Sequence, residues 1–354
     1  MFPDTNWNLN FLTLPLVHFA DLGLYKSQNL PPNFSMSVSN WNLLKNEVGS
    51  PASYTEADWA EAAKNLNLQG LSGLVFSRWK SFLPSEIRAD FRQAWLKNWN
   101  QNLLFQHELQ WITQVAAENN LQITILKGAT LLQSVYADPG QRFMSDIDLL
   151  VPPTQIQRLV ELLQTRGYQI LETKKWKAND FKVLLTRMEM QNELVIELHS
   201  KLFFEEPPHF QWQRTSPAPG RLPRLQPADQ SFHLLGHLGY QHTFLRLNWL
   251  LDIDLYVRKN PDLDWMRVWQ LAQEFRQINS TLIVLFVAQK FLDTPLPSLG
   301  LRKTWQLRLA QKLITSEWLW SPSEHRFRYL IVKHLLKDSL FQAIRYDYLW
   351  WKDS

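Results

Sequence analysis

Ile125-Leu126-Lys127-Gly128-Ala129-Thr130 and, a dozen residues on, Arg142-Phe143-Met144-Ser145-Asp146-Ile147-Asp148-Leu149-Leu150-Val151 decide how this chain is read. The first stretch predicts a short apolar strand, from Gln122 to Leu126, that stops at a Lys-Gly. A helical segment is expected from Thr130 to Tyr136, then a turn at Asp138-Pro139-Gly140. The second stretch predicts a strand in which Asp146 and Asp148 alternate with Ile147 and Leu149. Successive side chains on a strand point to opposite faces, so the two aspartates share one face and the aliphatics the other. A rise of about 3.3 Å per residue sets their Cβ atoms about 6 to 7 Å apart. Two carboxylates at that spacing can converge on one hard cation or hold a pair of them. An alternating acid–aliphatic strand is also what any half-buried edge strand with a wet face looks like. The discriminating feature is the ordered set of strand, Lys-Gly, helix, Arg and Asp-x-Asp, with a further acid on a later strand.

Working outward, the chain of 354 residues is long enough for two domains or for one large core with a helical extension. It contains no cysteine, which excludes disulfides and thiolate–metal chemistry. Met1 to Phe19 carries Asp4 and lacks a basic segment or a small-residue cleavage site, so a cytoplasmic location is expected. No run approaches the ~20 apolar residues that span a bilayer. A net charge of +4 is mild for this length and argues against a dedicated nucleic-acid binder. The 17 tryptophans are read mostly as helix–helix packing.

Residues 1 to 50 show weak periodicity, compatible with short helices wrapped on the body. Thr55 is expected to cap a helix through Asn65, with Asp58 three residues on. Pro84 opens a longer helical segment to Asn119, with a break or bend along it. Its apolar stripe is Leu104, Leu109, Ile112, Val115 and Ala116. Thr154 is expected to cap a helix to Arg166 that carries Ile156, Leu159, Val160, Leu162 and Leu163 and ends at Gly167. A strand from Tyr168 to Leu171 follows. Residues 181 to 190 and 193 to 199 then read as a hairpin around Gln191-Asn192. In its second strand Val195, Glu197 and His199 share one face, and Leu194, Ile196 and Leu198 the other. Glu197 is thus a third strand-borne carboxylate.

These residues carry a resemblance. Leu126-Lys127-Gly128, Tyr136, Arg142, Asp146-Ile147-Asp148-Leu149-Leu150, Gly167-Tyr168 and Glu197-Leu198-His199 resemble the uncharacterised nucleotidyltransferase family of the polymerase-beta superfamily. The resemblance extends to His237, Arg246, Trp249 and Asp252 and covers roughly 120 to 260. It implies that Asp146, Asp148 and Glu197 are the catalytic carboxylates and hold divalent metal, Mg²⁺ or Mn²⁺, against an NTP. It also implies that Gly128 matches the glycine of a phosphate-contacting Gly-Ser turn. The chain has Lys127-Gly128-Ala129 there, which leaves Lys127 as the phosphate partner. Arg142 adds a guanidinium that can fork across two phosphate oxygens. The alternatives are a solvated loop lysine at 127 and, at 142, a surface partner of Asp138 or Asp146. His199 either orients Glu197, contacts ligand or is structural. His237, Arg246 and Asp252 face the transferase core in the resemblance and are candidates for closing the cleft. Asp252 is carried with Lys127, Gly128, Arg142 and His199 into the nucleotide-binding set.

Glu205 to Asp229 holds prolines 207, 208, 217, 219, 223 and 227 and arginines 214, 221 and 224, and reads as an extended crossing segment. His233 and His237 lie one turn apart without the glutamate of a His-Glu-x-x-His site, and are read as a structural pair. From Asp264 the chain is helix-patterned, with a basic surface over 302 to 353.

The expected fold is α+β: a small mixed-sheet nucleotidyltransferase core (121–204) between a mostly helical N-terminal region (1–120), a proline-rich crossing segment (205–228) and a helical C-terminal region (229–354). The expected activity is metal-dependent transfer of a nucleoside monophosphate from an NTP to an acceptor, small molecule or protein, with release of pyrophosphate. The alternative is a non-catalytic nucleotide-binding or protein-interaction module that retains the fold.

Overall fold

Thr55 and Asp58 close a reciprocal capping box in the computed structural model, which describes residues 41, 43–45, 54–171, 182–189, 192–208, 210–215, 223–297 and 304–353. The Thr55 hydroxyl accepts from the Asp58 amide at 3.2 Å, and the Asp58 carboxylate accepts from the Thr55 amide at 2.8 Å. Helix α1 (Glu56–Leu68) therefore starts where the sequence places it and runs three residues past the expected end. The chain divides into two compact units, Met1–Met36 and Ser37–Ser354, and every element below belongs to the second. Nearly all of residues 1 to 50, read above as short helices, lie outside the described residues.

Helices α2 (Ser72–Trp79) and α3 (Ser85–Glu118) follow. The break expected in the long segment is absent. Helix α3 is continuous over 34 residues, since no proline or glycine interrupts it. Its C-terminal half buries Phe105, Leu109, Ile112 and Ala116 against the sheet. Its N-terminal half instead clamps a loop. Trp95 Nε1 donates to Asp138 Oδ1 at 2.8 Å, and Asn98 Nδ2 donates to the Gly140 carbonyl at 3.2 Å. Asn102 Nδ2 donates to the carbonyls of Pro139 and Arg142, both at 2.7 Å. A Cβ at Gly140 would overlap the Trp95 ring, so only glycine lets the loop lie this close. The chain is thereby fixed immediately before Asp146.

Among the described residues the sheet has five strands in the order β1-β2-β5-β4-β3. Strand β1 (Thr124–Ile125) is shorter than expected, and helix α4 (Lys127–Ser134) begins at Lys127 and not at Thr130. Strand β2 is Ile147–Leu150, so Asp146 lies just before it and not on it. Helix α5 (Pro153–Thr165) starts two residues earlier than a Thr154 cap would allow, since Pro153 takes the first helical position, where a missing N–H costs nothing. Gly167, at φ +90°, ends it as expected. Strand β3 (Gln169–Ile170) and the hairpin β4 (Lys182–Glu189) and β5 (Asn192–His199) complete the sheet. Residues 190 and 191, at the expected turn, lie outside the described residues. Among these five strands only the β2–β5 pair is parallel.

Ile147, Leu149, Leu194, Ile196 and Leu198 face one way and pack with Ile156, Leu159, Val160 and Leu163 of α5 and with α3. That apolar layer leaves the opposite face to Asp148, Glu197 and His199. The crossing segment lies along the free edge of β1. Ile125 N–H donates to the Pro223 carbonyl at 2.9 Å, and Ile125 bridges Arg224. Prolines 217 and 219 and Arg221 lie outside the described residues. Beyond it come α6 (Pro227–Gly236), a π-helical turn (His237–Gln241), α7 (Leu247–Lys259), α8 (Trp265–Glu274) and α9 (Ile278–Leu292). Helices α10 (Trp305–Leu313), α11 (Ser316–Trp320), α12 (Arg326–Leu335) and α13 (Leu340–Asp353) close the chain. Among the described residues no helix is long and apolar enough to cross a membrane.

Candidate active site

The parallel register sets Asp148 beside Glu197 and Leu150 beside His199 on adjacent strands, so the three polar side chains rise from one face. Donor atoms of Asp148, Glu197 and His199 all lie within 4.8 Å of one another. His199 Nε2 sits 2.8 Å from Asp148 Oδ1 and 3.3 Å from Glu197 Oε2. Lys127 Nζ donates to Asp148 Oδ1 at 2.6 Å, and Lys182 Nζ donates to Glu197 Oε1 at 3.0 Å. Lys127 adopts φ +41°, a left-handed conformation that is strained for a residue with a side chain. It heads helix α4, whose first turn has no side-chain cap. Strain at this point, with the ammonium turned onto a buried carboxylate, is the kind that collects at functional sites.

Burial opposes every charge here, and the neighbours decide the outcome. Burial pushes the Asp148 carboxyl up, but Lys127 and the hydrogen bond from His199 hold it well below the usual carboxylate range. Glu197 is likewise raised by burial and brought down to about 2 by Lys182 and His199. For Asp146 the charge of Lys127 also pulls downward but does not prevail. Burial, then the charges of Asp148 and Glu197, push it up to about 7. Burial disfavours the charged forms of Lys127 and His199, yet the carboxylates raise both above their ordinary values. The set of two carboxylates and an imidazole suits a divalent cation chemically, with the imidazole favouring Mn²⁺ over Mg²⁺.

The structure brings Lys127, Asp148, Glu197 and His199 together. It places Asp146 beside them, outside the close group. Arg142, Gly128 and Asp252 belong to a different arrangement. Arg142 Nε and Nη2 donate to Asp252 Oδ1 and Oδ2 at 2.9 and 2.7 Å, and Nη1 donates to the Phe143 carbonyl at 3.2 Å. Tyr136 Oη donates to Asp252 Oδ1 at 2.6 Å. The partner of Arg142 is thus Asp252 on α7, and neither Asp138 nor Asp146. Gly128 makes room for this tie, because a Cβ there would lie 2.5 Å from Arg142 Nη1 and 2.9 Å from Met144 Cγ. Gly128→Ala is therefore expected to lower stability by about 1 to 2 kcal/mol, the crowding outweighing the gain in helix propensity. Urea denaturation checks this; a variant more stable than the wild type would show that the neighbours yield freely.

Facing the carboxylates across a cleft of about 210 Å³ is a wall that sequence reasoning did not assemble, lined by His233, His237, Gln241 and His242. The π turn and the left-handed residues Thr243 and Phe244 bring these rings to one side of the chain. Burial holds all three histidines below their ordinary pKa, His242 at about 3. A histidine depressed in the folded state takes up fewer protons than the unfolded chain below about pH 6.5, so stability falls as the pH falls from there. His242→Gln is expected to make the loss of stability between pH 6.5 and 5 shallower by ~1 kcal/mol, allowing for the solvent at its edge. Parallel slopes for variant and wild type in urea titrations would contradict the burial of this ring. Lys182 was also missed, although the hairpin register, which pairs it with His199, would have found it.

None of the curated proteins compared matches the chain. A family model described as an uncharacterised nucleotidyltransferase matches residues 55–293, well over half of the chain and more than the 120–260 over which the resemblance was drawn. With Lys127, Asp148, Glu197 and helix α7 all inside that span, the chain belongs to the uncharacterised nucleotidyltransferase family.

Proposed function

We propose that the protein transfers a nucleoside monophosphate from an NTP to an acceptor in a divalent-metal-dependent reaction that releases pyrophosphate. The observation that carries this reading is the side-by-side placement of Asp148 and Glu197 on parallel strands, with His199 bridging both. Family membership supports the reaction class. Asp148 and Glu197 would hold the cation, with His199 as orienting group or third donor and Asp146, just before β2, as a further carboxylate beside them. A bound cation would neutralise charge developing on the phosphate oxygens. The uncapped first turn of α4 offers backbone N–H groups, and Lys127 an ammonium, to the triphosphate. Lys127 and Lys182 now balance the acids and would re-pair with phosphate when a cation takes their place.

Purified protein is incubated with each α-labelled NTP, Mg²⁺ or Mn²⁺, and lysate from its own organism. Label is expected to move to a small molecule or protein, with pyrophosphate appearing in step. Nucleotide that binds and never transfers would favour the module without turnover instead, a reading to which the self-neutralised acids give some support.

A further inference from the structure

Of the histidine wall, His237 is the residue whose state the hydrogen bonds define. Gln241 Nε2 donates to the Leu202 carbonyl at 2.9 Å, which fixes the amide orientation, since a carbonyl can only accept. Gln241 Oε1 is then the atom that meets His237 Nδ1, at 3.3 Å, and it too can only accept. The imidazole therefore carries its proton on Nδ1, and Nε2 presents a lone pair. Nε2 has no hydrogen-bond partner among the described residues. The ring is gripped by His242 and Trp249, each with its centroid 4.5 Å away, and the residue is 6% exposed and lines the cleft. A second nitrogen on the same wall is also unsatisfied: His233 is 1% exposed, and its Nδ1 is buried with no partner. Unlike His233 Nδ1, His237 Nε2 is not among the fully buried unpartnered atoms, so its lone pair is left for a donor that enters the cleft.

The charge on this wall restricts the ligand. The cleft's two lysines, Lys127 and Lys182, are engaged by Asp148 and Glu197. The groups facing His237 from the packed elements are Lys127, Asp148, His233 and His242, and burial with Lys127 nearby keeps the three imidazoles neutral. With both lysines taken by the acids or, on the reading above, by the triphosphate, an anionic acceptor would find no cation among the three imidazoles. A cleft of about 210 Å³ is also below the ~300 to 1,000 Å³ of sites that enclose drug-sized ligands.

We propose that His237, through Nε2, accepts the hydrogen bond of the hydroxyl that receives the nucleotidyl group, and that the acceptor is a small, uncharged hydroxyl compound seated against the wall formed by α6 and the π turn. This rests on the nucleotidyl transfer proposed above. The acceptor oxygen forms a bond to the α-phosphorus, and the bond from that phosphorus to the oxygen bridging to the β-phosphorus breaks. Pyrophosphate leaves with the electron pair, and the hydroxyl proton passes to Nε2 of His237. Gln241 is the positioning residue that keeps Nδ1 protonated.

The test uses the full chain labelled with ¹⁵N-histidine. At neutral pH the His237 resonances are expected to show Nδ1 protonated and Nε2 bare. Titration with glycerol, a neutral hydroxyl probe, should move the Nε2 resonance and leave Nδ1 nearly unchanged. Glycerol phosphate should move it less at equal concentration. A protonated Nε2, no response to glycerol, or a stronger response to the phosphate overturns the proposal. In parallel, pyrophosphate release from the four NTPs with glycerol as acceptor is compared for wild type, His237→Gln and Gln241→Leu. His237→Gln keeps the size of the side chain and should lose about 10²-fold or more, with nucleotide affinity unchanged. Gln241→Leu, which leaves the imidazole in place, should lose activity in part. Release within twofold of wild type in His237→Gln sinks the idea. If wild type binds no nucleotide, the transferase reading fails, while the tautomer and the glycerol response still decide the role of His237.

Discussion

Asp148→Asn is expected to reduce label transfer by more than about a hundredfold while leaving a folded protein. Substitutions of groups that merely orient a metal ligand cost ~10- to 100-fold, so loss of Asp148, a ligand on the proposed reading, should exceed that range. Asp148 is the most connected acid of the site. It is 4% exposed, meets Lys127 at 2.6 Å and His199 at 2.8 Å, and lies opposite Glu197 in the parallel register. The amide keeps the shape and one acceptor oxygen, but it cannot hold a cation as a carboxylate does. Asp146→Asn is expected to cost less, because Asp146 precedes the strand and lies outside the close group. Transfer rates at saturating NTP are the measurement, with near-ultraviolet circular dichroism showing that each variant is folded. Glu197→Gln serves as the second variant at the same cluster. Wild-type transfer in both Asp148→Asn and Glu197→Gln would mean that the chemistry lies elsewhere.

The parts of this site legible in the sequence are those that depend on strand alternation. Asp148, Glu197 and His199 were placed on one face because a period of two allows nothing else once Ile147, Leu149, Ile196 and Leu198 must be buried. The helix start at Lys127 was misplaced to Thr130, since a lysine at φ +41° is a conformation that no local preference predicts. Tertiary geometry overrode the pattern there. The fate of Arg142 was not legible either. Its partner Asp252 is 110 residues away in sequence, and the pairing exists only because α7 packs onto the core. The histidine wall needed the π turn, which shifts the face presented after His237. A sequence read at 3.6 residues per turn therefore assigns His242 to the wrong side. On α3, Asn98 and Asn102 drew no reading from the sequence, because the carbonyls they satisfy belong to a distant loop.

Asp252→Ala is expected to destabilise the fold by about 3 to 5 kcal/mol, the range found when one partner of a buried ion pair is removed. The side chains of Arg142 and Asp252 are 6% and 2% exposed, and two parallel hydrogen bonds join them. A guanidinium cannot shed its proton at any pH the fold survives, so truncating Asp252 leaves a full charge in an apolar setting. Tyr136 Oη loses its acceptor at the same time. Arg142→Met with Asp252→Leu removes both charges and should recover a large part of the loss, since paired burial of charge is itself costly. Urea denaturation of the two single variants and the double variant measures the coupling. Strictly additive losses, or an Asp252→Ala variant within about 1 kcal/mol of wild type, would show that the tie is not what joins α7 to the core. The same series distinguishes this role from triphosphate binding. If Arg142 met the nucleotide, Arg142→Met would weaken NTP affinity while sparing stability. Because its donors already face Asp252 and the Phe143 carbonyl, the expected result is the reverse: stability falls, and the affinity of the folded fraction for NTP stays close to wild type.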